Sequence, residues 1–115
     1  MRKVILVGLG GRARHWLGNC RQHPDVELVG YVELSEASKK RAIEEWDVPA
    51  DAIHGSVAAA ASAVDADFVV DVTPPAVHKT IALAAFDTGL HVLGEKPLSD
   101  DFTGAKHVVE AGKAA

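Results

Sequence analysis

Near the amino end, Gly8-Leu9-Gly10-Gly11-Arg12-Ala13 spells G-x-G-x-x-A, and a carboxylate, Glu33, follows 20 residues beyond Ala13. Side chains are missing here at the points where an anion would have to approach backbone N–H groups. Gly8 makes a tight turn possible, Gly10 leaves free the space a side chain would fill, and Ala13 lets a helix pack closely on the strand before it. A helix starting at this point adds free N–H groups and a partial positive charge. The pattern suits the pyrophosphate of a dinucleotide, bound by Gly8, Gly10, Gly11, Arg12 and Ala13. Glu33 then accepts hydrogen bonds from the hydroxyls of the adenosine ribose. Glu33 would repel a 2′-phosphate, and Leu34 and Ser35 bring no arginine to compensate; the nearest basic residues downstream are Lys39 to Arg41. The expected cofactor is therefore NAD in preference to NADP, with Arg12 the one residue near the turn that could reach a phosphate.

This chemistry needs a strand before the glycines, a helix after them and a second strand ending at Glu33. Val4-Ile5-Leu6-Val7 is apolar on both faces, as a strand inside a parallel sheet must be. Ala13, Trp16, Leu17 and Cys20 recur at helical spacing up to His23-Pro24, where Pro24 stops the helix. Residues 27–32 form the second strand. Ser35 is placed to cap a helix from Glu36 to Trp46, with Ala42, Ile43 and Trp46 inward. Ile53-His54 is a short third strand and Ser56 to Ala63 a brief helix. Residues 67–72 are a fourth strand, broken by Thr73-Pro74-Pro75. A helix over 76–88 follows, with Val77, Ile81, Ala84 and Ala85 inward and Gly89 as its stop. Leu90 to Leu93 is a fifth strand and Gly94 to Pro97 a turn. Ser99 caps a last helix that turns Ala105, Val108 and Val109 inward. Alternating strands and helices predict an α/β fold, a doubly wound parallel sheet of five strands in the order 3-2-1-4-5. The ligand crevice lies between strands 1 and 4, flanked by Gly8 and by Thr73-Pro74-Pro75.

The whole chain narrows the function classes. Its 115 residues suffice for one domain and one core. With 48% hydrophobic and 24% charged residues it has the composition of a soluble globular protein. A net charge of −4 and the lack of a basic stripe argue against a nucleic-acid surface. No stretch is long enough to cross a membrane, and a strand that starts directly after Met1-Arg2-Lys3 leaves no room for a signal peptide. The expected setting is the cytoplasm. Cys20, the only cysteine, falls on an apolar helix stripe and reads as a core residue. His15, His23, His54, His91 and His107 show no metal-ligand spacing, so no metal site is expected.

Further along stand Asp71-Val-Thr-Pro-Pro-Ala-Val-His78, then Ala82, Ala85 and Gly89-Leu-His-Val-Leu-Gly-Glu-Lys-Pro-Leu98, with Glu95-Lys96-Pro97 beginning 17 residues after His78. Together with the glycine turn, these stretches resemble the N-terminal Rossmann domain of the Gfo/Idh/MocA oxidoreductases, along essentially the whole chain. The resemblance implies an NAD(P)-dependent dehydrogenase or reductase that moves hydride between nicotinamide and a sugar, cyclitol or related alcohol. It implies that Thr73 and Pro74 lie against the cofactor, that His78 starts the helix beside them, and that Glu95 and Lys96 sit at the nicotinamide end. Lys96 is then the catalytic residue: an ammonium beside the carbinol oxygen stabilises the alkoxide that develops as hydride leaves. Glu95 is placed to hold it, and the Lys96–Pro97 peptide is expected to be cis. Without the resemblance, His78 is equally a residue that bonds its own helix, Thr73 a strand end and Lys96 a solvated surface lysine.

Members of that family continue into a sixth strand and a large α/β domain that supplies the substrate pocket, a further acid/base group and most of an oligomer interface. The expectation for residues 1–115 is therefore a cofactor-binding domain cut from a longer two-domain protein, itself inactive, whose parent is a homo-oligomer. A non-catalytic, dinucleotide-sensing regulator on the same fold is the alternative; an intact Lys96 favours the enzyme.

Overall fold

In the computed structural model, which describes residues 1–96 and 99–115, the first strand, β1 (Arg2–Val7), is buried from Val4 onward. Its unbroken apolar run is explained by its place: it lies between β2 (Val26–Val32) and β4 (Phe68–Asp71), with helices on both faces of the sheet. β3 (Ile53–His54) pairs with β2, and β5 (His91–Gly94) pairs with β4. All four pairings are parallel and the order is β3-β2-β1-β4-β5, the order expected.

Alternate residues of β1 serve different layers. Val4 and Leu6 pack with Ala13 and Leu17 of α1 (Ala13–Gln22) and Ala42 of α2 (Glu36–Glu45). Ile5 and Val7 pack with Val57 and Ala60 of α3 (Val57–Ala63) and Ala85 of α4 (Pro75–Asp87). Leu6 and Ile5 have no exposure, so cutting either to alanine would cost about 2–5 kcal/mol. α5 (Phe102–Ala114) lies against α4 through Val108 and a contact between Gly112 and the Phe86 ring. β5 closes the row with a neighbour on one side only, and its Leu93 is 48% exposed.

Three helices depart from expectation. α2 stops at Glu45. Asp47 adopts the left-handed conformation, φ 56°, which a short polar side chain tolerates, and the chain turns so that Val48, not Ile43, enters the core. Trp46 caps the helix and packs against the edge of the core. In α4, Ala85 is buried and Ile81 and Ala84 pack against the core as expected, but Val77 is 40% exposed and His78 and Ala82 are buried instead. In α5 the cap is Asp101, whose carboxylate accepts the Gly104 N–H; Ser99 is buried against Gly104 and its hydroxyl donates to Asp100. Val108 faces inward and Val109 outward. Pro97 and Leu98, and with them the expected cis peptide, lie outside the described residues.

Candidate functional site

The carboxyl ends of the strands open into a cleft of about 600 Å³, within the range of small-molecule and cofactor sites. Its walls include Gly8, Gly10, Gly11, Arg12, Glu33, Thr73, Pro74, His78, Glu95 and Lys96. Of the residues expected at the ligand, Ala13 alone is not in the wall; it is fully buried at the start of α1, where its small size lets the helix sit on the sheet.

The glycine turn forms one lip. Gly8 has φ +97°, a conformation glycine adopts without strain, and its N–H donates to the Val32 carbonyl at 2.8 Å. A Cβ on Gly8 would sit 3.2 Å from the Thr73 nitrogen and Cγ2, so the two lips touch there. Glu33 is committed more deeply than a ribose contact requires. One carboxylate oxygen accepts the Leu9 N–H at 2.7 Å, and the other accepts the N–H groups of Leu34 and Ser35 at 2.9 and 3.1 Å. Arg41 of α2 donates to the Leu9 carbonyl at 3.0 Å.

The opposite lip is built by Asp71, Thr73 and His78. Asp71 ends β4, is buried, and accepts both the backbone N–H of Thr73, at 3.0 Å, and its hydroxyl. His78 is 4% exposed, and its Nε2 lies 2.6 Å from the Thr73 carbonyl oxygen. A carbonyl only accepts, so Nε2 carries the proton. The ring holds the Thr73-Pro74 turn at the start of its own helix, and it also lines the cleft.

Glu95 does not brace Lys96. Its carboxylate reaches the first turn of α1 instead, accepting Trp16 Nε1–H at 2.7 Å and pairing with Arg12 Nε at 3.0 Å. The Trp16 bond first, and the Arg12 bond after it, hold its carboxyl below the usual glutamate range. Arg12 is thereby drawn toward the β5 end. Lys96 stands exposed in the cleft wall beside this clamp.

A second, largely apolar cavity of about 420 Å³ adjoins the cleft through Gly8, Glu33, Thr73 and Pro74. Its further walls include Leu34, the Gly55–Ala58 segment, Val77, Thr80 and Ile81. None of these was expected at the site. The signal was present in Leu34, an apolar side chain directly after Glu33 that is 76% exposed.

The residues fit a dinucleotide. A Cβ on Gly10 or Gly11, both in the cleft wall, would meet nothing within 4 Å, so the backbone there is open to a close-lying group. α2, α3 and α5 start with a side-chain cap from Ser35, Ser56 and Asp101, whereas α1 has none and no acidic residue in its first turn. α4 likewise has neither; at the start of α1 the Ala13 and His15 N–H groups donate to the Gly10 and Arg12 carbonyls at 3.0 and 3.3 Å, and no side chain competes with an anion there. Among the described residues no group of three or more His, Cys, Asp or Glu could hold a metal ion, and no helix is long and apolar enough to cross a membrane.

Residues 2–115 match the family described as oxidoreductase family, NAD-binding Rossmann fold (GFO_IDH_MocA). The protein y4oX of Sinorhizobium fredii is 30% identical over 112 residues, 94% of this chain and 31% of that protein. Inositol 2-dehydrogenase of Streptomyces avermitilis is 44% identical over 59 residues, 51% of this chain and 17% of the enzyme. The WlbA dehydrogenase from Chromobactrium violaceum, solved in complex with NADH and UDP-GlcNAcA, superposes with a TM-score of 0.86 at 28% identity, over 98% of this chain and 32% of that one. The chain thus spans about a third of the length, or less, of these relatives. Sheet order, glycine turn and family match agree: the chain belongs to the Gfo/Idh/MocA oxidoreductases and carries their NAD-binding Rossmann fold.

Proposed function

We propose that this chain is the dinucleotide-binding part of a longer, two-domain oxidoreductase that uses NAD in preference to NADP and acts on a sugar, cyclitol or related alcohol. The observation that carries the reading is the pair of joined cavities around Gly8, Glu33, Thr73 and Pro74, beside an uncapped α1. An extended ligand with an apolar ring at one end and an anionic centre suits that shape. Adenine belongs in the apolar cavity, the adenosine ribose at Glu33, and the pyrophosphate against Gly10, Gly11 and Arg12. Thr73 and Pro74 lie against the cofactor with His78 beside them, and Glu95 and Lys96 mark the nicotinamide end.

Nicotinamide, when bound, supplies the hydride donor or acceptor. The protein must then manage the charge on the substrate oxygen. Lys96 presents an ammonium at the open side of the cleft, where it can stabilise a developing alkoxide and exchange a proton with it. Glu95 fixes the turn that carries Lys96 by tying it to α1. The names of the relatives, an inositol dehydrogenase and a dehydrogenase holding a nucleotide sugar, support the substrate class. The homo-oligomeric parent rests on the family resemblance, and a cytoplasmic setting rests on the lone buried cysteine. The regulatory alternative has no observation in its favour.

Calorimetric titration of the 115-residue chain with NADH and NADPH tests the reading. Binding of NADH, tighter than NADPH, without turnover of polyols, is the expected result. Tighter NADPH binding would overturn the cofactor assignment, and absence of binding would overturn the reading itself.

A further inference from the structure

We infer that Arg41 is a positioning residue of the phosphate-binding turn: it acts on the cofactor through the peptide groups of Leu9, without touching the ligand. The inference rests on the dinucleotide-binding reading and adds to it a residue from another helix. Leu9, the residue between the two glycines of the turn, is fixed three ways. Its side chain is fully buried among the core residues, its N–H donates to Glu33 at 2.7 Å, and its C=O accepts from the Arg41 guanidinium at 3.0 Å. The glycines on either side have no side chains with which to hold themselves. Backbone bonds hold them, Gly8 N–H to the Val32 carbonyl and Ala13 N–H to the Gly10 carbonyl, and between those two bonds the turn is fixed by what holds Leu9.

Arg41 is unusual for a surface-helix arginine. Its guanidinium carbon lies 4.7 Å from the centroid of the Trp46 ring, a cation–π distance. No ion pair engages it among the described residues, and its buried Nε has no hydrogen-bond partner. A buried N–H without a partner is costly, so it is retained where other contacts of the same guanidinium compensate. The Leu9 carbonyl and the Trp46 face are the two groups that receive it. Glu33 and Arg41 thus grip the two ends of the same residue from opposite charge types, and the loop presents Gly10 and Gly11 in a fixed pose.

Arg41→Met keeps the contact with Trp46 and removes the donor. In the apo chain, Leu9 and Ala13 amide exchange, read by NMR, is expected to accelerate at least tenfold, with Ile5 and Leu6 of β1 unchanged. NADH and ADP-ribose are expected to bind about tenfold more weakly, with adenosine unaffected. Arg41→Lys, which keeps a shorter donor, falls between wild type and Arg41→Met on both readouts. Unchanged Leu9 exchange, or acceleration spread equally through β1, would overturn the inference. So would a loss confined to NADPH, which would make Arg41 a 2′-phosphate contact. If Arg41→Met does not fold, Arg41→Lys indistinguishable from wild type would reduce Arg41 to a packing residue. A wild-type chain that binds no NADH would overturn the proposed function, and the exchange measurement would still decide the clamp.

Discussion

Trp16 and Glu95 are 79 residues apart in sequence, and the indole Nε1–H of the first donates to the carboxylate of the second at 2.7 Å. The bond joins α1, which follows β1, to the end of β5, two strands away in the sheet. It ties the start of α1, beside the glycine turn, to the segment that carries Lys96.

Because Trp16 and Arg12 favour the ionised form, the Glu95 carboxyl is lowered in the folded chain. The sign follows: the clamp contributes fully above the ordinary glutamate value of about 4.3 and is lost only as pH falls through the lower folded value. The Trp16 indole N–H resonance is expected to stay constant down to about that pH and to move below it. Glu95→Gln should abolish the transition. A midpoint at or above the ordinary value would contradict the clamp.

Two glycines of the turn should separate stability from binding. Gly8→Ala forces an L side chain into φ +97° with a Cβ contact at 3.2 Å, and should cost about 1–3 kcal/mol in denaturant unfolding. Gly10→Ala meets no protein atom within 4 Å, so stability should shift by less than about 0.5 kcal/mol while NADH binds about tenfold more weakly. Equal stability losses in the two variants would refute the distinction.

Glu33→Ala should narrow the preference for NADH over NADPH, chiefly by weakening NADH. The substitution removes a ribose acceptor and also frees the Leu9 N–H. Calorimetry with both cofactors is the check; a gain in NADPH affinity with NADH untouched would show that the carboxylate does no work on the turn.

Cys20 is buried in the folded chain, and burial raises its thiol pKa. Alkylation by iodoacetamide at pH 8 should therefore be slow in native protein and fast in denaturant. Comparable rates in the two states would mean that the α1 stripe is loose.

In the complete enzyme, Lys96→Met should lower kcat about 100-fold or more, in the range typical of acid–base groups. In this chain the same change should leave the NADH dissociation constant within about threefold. A loss seen only in binding would move Lys96 from the chemistry to the cofactor.

The sheet was legible because its signals are local. Doubly apolar runs can only be inner parallel strands, and the glycines fall between a strand and a helix. The glycine turn, Glu33 and the Thr73-Pro74 lip were legible because strand ends in this topology converge, whereas His78, Glu95 and Lys96 entered only through the family resemblance. What stayed hidden was side-chain commitment across the fold. Glu95 looked like a neighbour for Lys96 because the two are adjacent in sequence, yet its partners lie on α1. In α4 the first inward position was placed at Val77 and not at His78, because polarity patterns assign histidine outward. Ser99 was a plausible cap, but the helix starts later, at the carboxylate of Asp101. The apolar cavity was missed because Val77 looks like a core residue in a linear pattern and Ile81 serves both the core and the cavity wall.

β2 is followed by Glu33, β4 ends in Asp71 and β5 is followed by Glu95. Three negative charges at the mouth of a cleft, in a chain of net charge −4, would form an electrostatic fence against a doubly anionic pyrophosphate. Each has been turned inward: Glu33 onto three backbone N–H groups, Asp71 onto Thr73, Glu95 onto Trp16 and Arg12. The carboxylates hold the scaffold together while their own fields are absorbed by nearby donors. An acidic protein can in this way keep an anion-receptive doorway at α1, a helix start with neither an acidic first turn nor a side-chain cap.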